Sequence, residues 1–176
     1  MTKVPSDNEF AEAFVTVTSP IGRIEIRSNG HAIIGLTIEG SDGNAYGHLP
    51  HGGQPGKADK LLARATKELE LYFAGKLRTF SVPVEMHGTE FQKDVWNVIA
   101  ATPFGETASY GEIAAQIGRN GAGRAVGGAV GSNPVPIIVG CHRILASDRR
   151  ITGFSGGSGI PTKKQLLALE GIPYAP

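Results

Sequence analysis

Two neighbouring stretches, Ser109-Tyr-Gly-Glu112 and Ala122-Gly-Arg-Ala-Val-Gly-Gly-Ala-Val-Gly131, decide how this chain is built. The first has the Ser-x-x-Glu spacing of a capping box, in which each side chain satisfies a backbone N–H at a helix start, so a helix is predicted to run to about Ile117. The second is a run of small residues with one charge, stopped by Asn133-Pro-Val-Pro136. Helix, turn, helix is an arrangement that docks on DNA, and short helical pairs are equally common in proteins that never meet it. Glycine disfavours a helix by about 1 kcal/mol per position relative to alanine, so something must offset the composition of the second helix. Either a nucleic-acid groove or a neighbouring helix comes close to it. Arg124 has two readings as well: a long cation that enters a groove or fills the gap left by an extruded base, or a solvated surface arginine.

Upstream, Thr89 can cap a helix whose apolar face is Phe91, Val95, Val98 and Ile99, ended by Pro103 and Gly105. A domain boundary is placed just before it, giving units at 1–88 and 89–176. The first unit reads as strands at 14–18, 22–27 and 32–39, with Asn29-Gly30 as a hairpin turn. A loop follows at 41–57, containing five glycines and two prolines. Leu62, Ala65, Leu69, Tyr72 and Phe73 then recur at helical spacing, with Asp59 at the start and Gly75 at the C-terminal end. A short edge strand over 80–86, interrupted by Pro83, completes a small antiparallel sheet with one covering helix.

Downstream, a rigid turn at Asn133 leads into an apolar run, read as a strand, that ends at Cys141, the one cysteine in the chain, followed by His142 and Arg143. A thiolate is the nucleophilic form of cysteine, and a base and a cation beside it favour that form. The alternative is a buried, inert thiol, since adjacent strand residues face opposite ways and His142 would reach the sulfur only through a turn or a water. The last helix, about 161–169, carries Lys163 and Lys164 in its first turn and Glu170 at its end, each the wrong sign for the helix dipole. Glu170 is either the acid that orients a histidine or an exposed residue. The glycine run 153–159 lacks the lysine of a phosphate loop, and His48 and His51 have no cysteine or carboxylate near them, so no metal site is expected.

Composition narrows the function. The chain of 176 residues is 40% apolar with a net charge of +1, which excludes a disordered protein and a globally basic nucleic-acid coat. The second unit holds eight Lys and Arg against six Asp and Glu, so any nucleic-acid contact is local. One cysteine cannot form an internal disulfide, the N-terminus lacks the apolar core of a signal peptide, and no apolar run is long enough to cross a bilayer; a cytoplasmic protein is expected.

Taken together, Phe91-Gln-Lys-Asp-Val-Trp-Asn97, Thr102-Pro-Phe-Gly-Glu-Thr-Ala-Ser-Tyr-Gly-Glu-Ile113, Gly123-Arg-Ala-Val-Gly-Gly-Ala129, Asn133-Pro-Val-Pro-Ile-Ile-Val139, Cys141-His-Arg143 and Leu167-Ala-Leu-Glu-Gly171 resemble the O6-alkylguanine-DNA alkyltransferases. The resemblance spans the second half; the first agrees in outline and in Tyr72-Phe-Ala-Gly75. It implies an α+β fold, with an RNase H-like N-terminal unit and a winged-helix-like C-terminal unit that carries DNA-binding and alkyl-acceptor functions. It also implies single-turnover direct repair: an O6-alkylated guanine, or an O4-alkylated thymine, is extruded and its alkyl group moves to Cys141. Cys141, His142, Glu170 and Tyr110 would then be catalytic, with Tyr110 donating to guanine N3. Ser155, Asn133, Phe154 and Ile144 would hold the substrate. Arg124, Tyr110, Ala125, Gly128, Ser132 and Arg143 would contact double-stranded DNA from the minor groove. No cofactor is implied, and the partner is DNA, bound by a monomer with the option of cooperativity.

Two residues depart from the family pattern. Gly140 stands where the family has proline, and is expected to loosen the presentation of Cys141 and weaken stability or rate. Phe154 stands where relatives often carry tyrosine. The rival readings are an alkyltransferase-like module that binds lesions without transfer, against which Cys141 argues, and a cysteine hydrolase, which would turn over many times.

Overall fold

A computed structural model describes residues 12–40, 54–55 and 60–176. In the first unit β1 (Ala13–Val17), β2 (Ile24–Ser28) and β3 (Ile33–Ile38) form an antiparallel sheet, with β4 (Gln54–Pro55) parallel to β1 at its edge. The β2–β3 turn is made by Asn29 and Gly30: the Asn29 side chain accepts from the His31 and Ala32 amides, and Gly30 takes φ +87°. Helix α1 (Lys60–Phe73) covers the sheet through Leu62, Ala65, Leu69 and Tyr72, all buried. It ends in a Schellman-type lock, with the Lys76 amide on Leu71 O at 2.8 Å and Gly75 at φ +72°. Asp59, His48, His51 and all of the 41–57 stretch except Gln54–Pro55 lie outside the described residues.

The 80–86 segment is not a regular strand. It is extended chain held to β3 by a bridge between Ile33 and Val84, with the Ile33 amide on Pro83 O at 2.8 Å and the Glu85 amide on Ile33 O at 3.0 Å. Pro83 has no N–H to offer, so a ladder cannot propagate through it.

In the second unit α2 (Glu90–Ala101) starts at a complete capping box formed by Thr89 and Gln92. Its Trp96 is buried and donates from Nε1 to Ala129 O at 2.8 Å, which fastens α2 to α4 (Gly123–Gly131). The Ser109/Glu112 capping box is also complete and opens α3 (Tyr110–Gln116). Immediately before it, β5 (Ala108–Ser109) pairs in parallel with β6 (Ile144–Leu145), and this short ladder places Tyr110 beside the segment containing Cys141. Helix α5 (Ile160–Leu169) closes the unit. Buried apolar residues of both units, from Ile21 to Leu166, form one continuous cluster. Among the described residues no helix is long and apolar enough to cross a membrane.

Candidate active site

The apolar run before Cys141 is a compact turn and not a strand. Asn133 organises it from both ends: its Oδ1 accepts from the Val135 amide at 3.0 Å and its Nδ2 donates to Val139 O at 2.8 Å. Between them Ile137 takes φ +74°, an unfavourable conformation for a β-branched residue, held in place by full burial of its side chain. Cys141, His142 and Arg143 then form one turn of 3-10 helix. The alternation of a strand therefore does not apply here, and all three residues are buried. Burial pushes the Cys141 thiol up, against a side-chain hydrogen bond from Asn133 and the positive charges of Lys163 and Arg143.

His142 is fully buried, and its Nε2 lies 2.8 Å from Glu170 Oε1. An ionised carboxylate only accepts, so Nε2 carries the proton and Nδ1 presents its lone pair. That Nδ1 meets no protein partner among the described residues. Burial, with the charges of Arg143 and Lys163 adding to it, holds the basicity of His142 below its ordinary value against the hydrogen bond and charge of Glu170. Glu170 is placed by the end of α5, where the Ile172 amide on Leu167 O at 2.9 Å and Gly171 at φ +68° lock the backbone. Burial alone would raise its carboxyl, yet bonds from His142 and Arg143 and their charges hold it far below the ordinary carboxylate range. Arg143 donates from Nε to Oε2 at 2.9 Å, from Nη2 to Oε1 at 2.8 Å, and from Nη1 to Thr102 O at 2.8 Å. Its charge compensates for an acid at the negative end of a helix.

Cys141 opens onto a cavity of about 680 Å³ whose walls come from three places. Tyr110 lies on one side, with its hydroxyl 3.0 Å from Thr152 Oγ1; Gly153, Phe154 and Ser155 form a second wall; Gly123, Arg124, Gly127, Val130 and Gly131 of α4 form the third. The α4 helix buries Val126, Ala129 and Val130 and exposes Arg124, Ala125, Gly128 and, past Gly131, Ser132. A Cβ added at Gly123, Gly128 or Gly131 would meet nothing within 4 Å, so packing inside the protein does not demand these glycines. Of the two explanations for the small residues, the one based on a neighbouring helix fails there.

Several of the expected site residues share one place: Cys141, Tyr110, Phe154, Ser155 and Arg124 line the cavity, and His142, next to Cys141 in the chain, pairs with Glu170. Asn133 supports the cysteine turn from outside the cavity wall. Two expectations are corrected. Arg143 is no DNA contact, because its guanidinium is buried and committed to Glu170 and Thr102. Ile144 is fully buried in the core and does not line the cavity, so its side chain cannot meet a substrate there. Gly140 takes φ −74°, within proline's range, and Arg143 occupies the space a side chain would take, with Cζ, Nε and Nη1 each 2.9 Å from the position of an added Cβ.

Two residues were not anticipated. Lys163 is buried on the cavity wall, donates to Ile144 O at 2.6 Å and to Gly153 O at 3.2 Å, and is lowered to about 8 by burial. Its wrong-sign position on the helix was the available signal. Tyr72 donates from its hydroxyl to Glu170 Oε1 at 2.8 Å, and helical spacing marked it only as core.

Comparison with known proteins covers both units. The family model described as "6-O-methylguanine DNA methyltransferase, ribonuclease-like domain" matches residues 7–86, and "6-O-methylguanine DNA methyltransferase, DNA binding domain" matches residues 90–172. The chain is 42% identical over 159 residues to a methylated-DNA--protein-cysteine methyltransferase of Haemophilus influenzae, covering 89% of this chain and 84% of that protein. A protein of the same name from Mycobacterium tuberculosis is 42% identical over 156 residues, covering 88% and 90%. The crystal structure of M. tuberculosis OGT in complex with DNA superposes with a TM-score of 0.77 at 40% identity, over 90% of this chain and 92% of that one.

Proposed function

Since the chain belongs to the 6-O-methylguanine DNA methyltransferase family, we propose that it repairs alkylated DNA directly by moving the alkyl group from guanine O6 to Cys141, once per molecule. The observation that carries this reading is the position of the chain's one cysteine: it opens onto a cavity large enough for a base, between a hydroxyl, a glycine-rich wall and a helix with unused space on its outer face.

In the proposed reaction the duplex lies against α4, with Gly128, Ala125 and Ser132 allowing the minor groove to approach and Arg124 filling the stack as the damaged base leaves it. Inside the cavity the Cys141 proton passes through a bridging water to His142 Nδ1, and Glu170 stabilises the imidazolium that forms. The thiolate attacks the alkyl carbon: the C–S bond forms as the C–O6 bond breaks, and the electron pair of that bond departs on the guanine. Tyr110 at N3 and the Ser155 amide at O6 meet the developing negative charge, and the guanine takes up one proton, matching the one that left Cys141 and returning His142 to its neutral form once exchange with water is complete. At rest, burial favours neutral forms of both Cys141 and His142, so the charge separation belongs to the loaded site. The thioether product has no second thiol in this chain to resolve it. Residues 89–176 would supply the chemistry and DNA contacts, residues 1–88 the scaffold, and one copy would suffice.

The test is intact-protein mass after incubation with a short duplex containing O6-methylguanine, beside a Cys141→Ser control. A gain of one methylene, once per molecule and on the parent chain alone, is expected. No gain with lesion DNA still bound would refute transfer.

A further inference from the structure

Glu170 Oε1 is the most heavily used acceptor in the site. Tyr72 Oη, His142 Nε2 and Arg143 Nη2 each lie 2.8 Å from it, and Arg143 Nε approaches to 3.3 Å. A carboxylate oxygen has two lone-pair directions, so three close donors share its charge and compete for it. Two come from the 3-10 turn beside the cysteine. The third comes from α1, in the other half of the molecule and 98 residues away in sequence.

The Tyr72 ring is held firmly. It is fully buried, with ring centroids of Phe73, Phe80 and Phe104 at 5.3, 5.4 and 6.1 Å. Burial and the neighbouring carboxylate raise its hydroxyl so far that it remains a donor throughout the working pH range. Backbone bonds from the same half brace the loops on either side of the site: the Leu36 amide donates to Pro134 O at 2.9 Å, ahead of the cysteine turn, and the Gly157 amide donates to Ile38 O at 3.2 Å, beyond the substrate wall.

We infer that Tyr72 is a positioning residue of the relay: by occupying part of Glu170 Oε1 it fixes the carboxylate toward His142 and limits how strongly that carboxylate draws a proton onto the imidazole. This inference rests on the alkyl-transfer reading and assigns the N-terminal half a part in it. A filler tyrosine would need only a ring; this hydroxyl is spent on the oxygen that His142 uses. The other charged groups acting on His142 are Arg143 of the 3-10 turn and Lys163 of α5, both of which disfavour imidazolium, so Tyr72 adds to an arrangement that keeps His142 neutral at rest.

Tyr72→Phe keeps the ring and removes the donor. More negative charge is then left facing His142, so its imidazole should titrate higher by about half a unit to one unit, read from its ring carbon resonance without substrate. Because Glu170 is then no longer fixed toward His142, the imidazole loses its orientation, and the single-turnover rate on an O6-methylguanine duplex should fall roughly three- to tenfold despite the stronger base, with its pH profile shifted in the same direction as the titration. Phe80→Leu is the control: it disturbs the same aromatic cluster without touching Glu170, and should lower stability while leaving the titration in place. An unchanged His142 titration and pH profile in Tyr72→Phe, with the parent active, would overturn the inference. If the parent fails to take up the methyl group, the alkyl-transfer reading falls, and the substrate-free titration still decides whether Tyr72 controls His142.

Discussion

Replacing Arg143 with methionine separates two roles for this residue, because a strut inside the protein and a cation on DNA fail in different assays. In the structure its side chain is 7% exposed and its guanidinium commits three nitrogens to Glu170 and the Thr102 carbonyl. Methionine fills much of the volume and supplies none of the donors, so Glu170 loses its main compensating charge and Thr102 O loses its side-chain partner. Breaking a buried pair by removing one member typically destabilises by about 3–5 kcal/mol. For a chain of this length that corresponds to roughly 6–20 °C in melting temperature. We predict a loss of that size in urea or thermal melts. The salt dependence of duplex binding, measured on the fraction that remains folded, should be unchanged. A phosphate-contacting arginine would show the reverse, with intact stability and a log–log salt slope reduced by about 0.9. That second pattern would refute the placement of Arg143.

Other expected outcomes follow from single features. Alanine at Gly140 puts a Cβ 2.9 Å from the Arg143 guanidinium and should destabilise by about 1–3 kcal/mol, whereas proline adds the same contact but recovers about 0.4–1 kcal/mol from the unfolded chain. Urea midpoints should rank glycine, then proline, then alanine; proline ranking above glycine would mean that the guanidinium yields at no cost. Gly128→Ala meets nothing within 4 Å and should stabilise by about 0.5–1 kcal/mol, while Gly128→Leu should fold as well as the parent yet bind duplex DNA at least about tenfold more weakly. A destabilised alanine variant would show that the helix face is already occupied. Glu170 has a depressed folded-state pKa, so its stabilisation is complete above the unfolded value of about 4.3 and is lost as pH falls through that value toward the folded one. Stability measured from about pH 7 down to pH 3 should therefore drop less steeply in Glu170→Gln than in the parent; parallel curves would count against the carboxylate's role.

Local signals were legible in the sequence wherever neighbouring residues decide the outcome. The cap at Thr89, the capping box at Ser109, the Asn29-Gly30 turn and the glycine at the end of α1 all act within a few residues of themselves, and all stand in the structure as read. The apolar run before Cys141 was misread because apolar content does not distinguish a strand from a turn held by one side chain, and Asn133 makes it a turn. Arg143 was misassigned because a cation beside a cysteine looks the same in sequence whether it faces DNA or a buried acid 27 residues away. Tyr72 stayed hidden for the same reason. Lys163 was half visible: its charge opposed the helix dipole, but only the folded chain supplies the two carbonyls that explain it.

The apolar interior that runs without a break from the sheet to α5 carries a consequence for how the molecule can come apart. Two family models recognise the chain as halves meeting between residues 86 and 90, which invites the picture of a detachable scaffold and a working part. A shared interior does not divide there. Cutting the chain at that junction should leave both pieces associated and melting in a single transition; separated, each would expose the face the other had covered. Sequence comparison counts two modules in this chain, and one unfolding transition is the number expected from its interior.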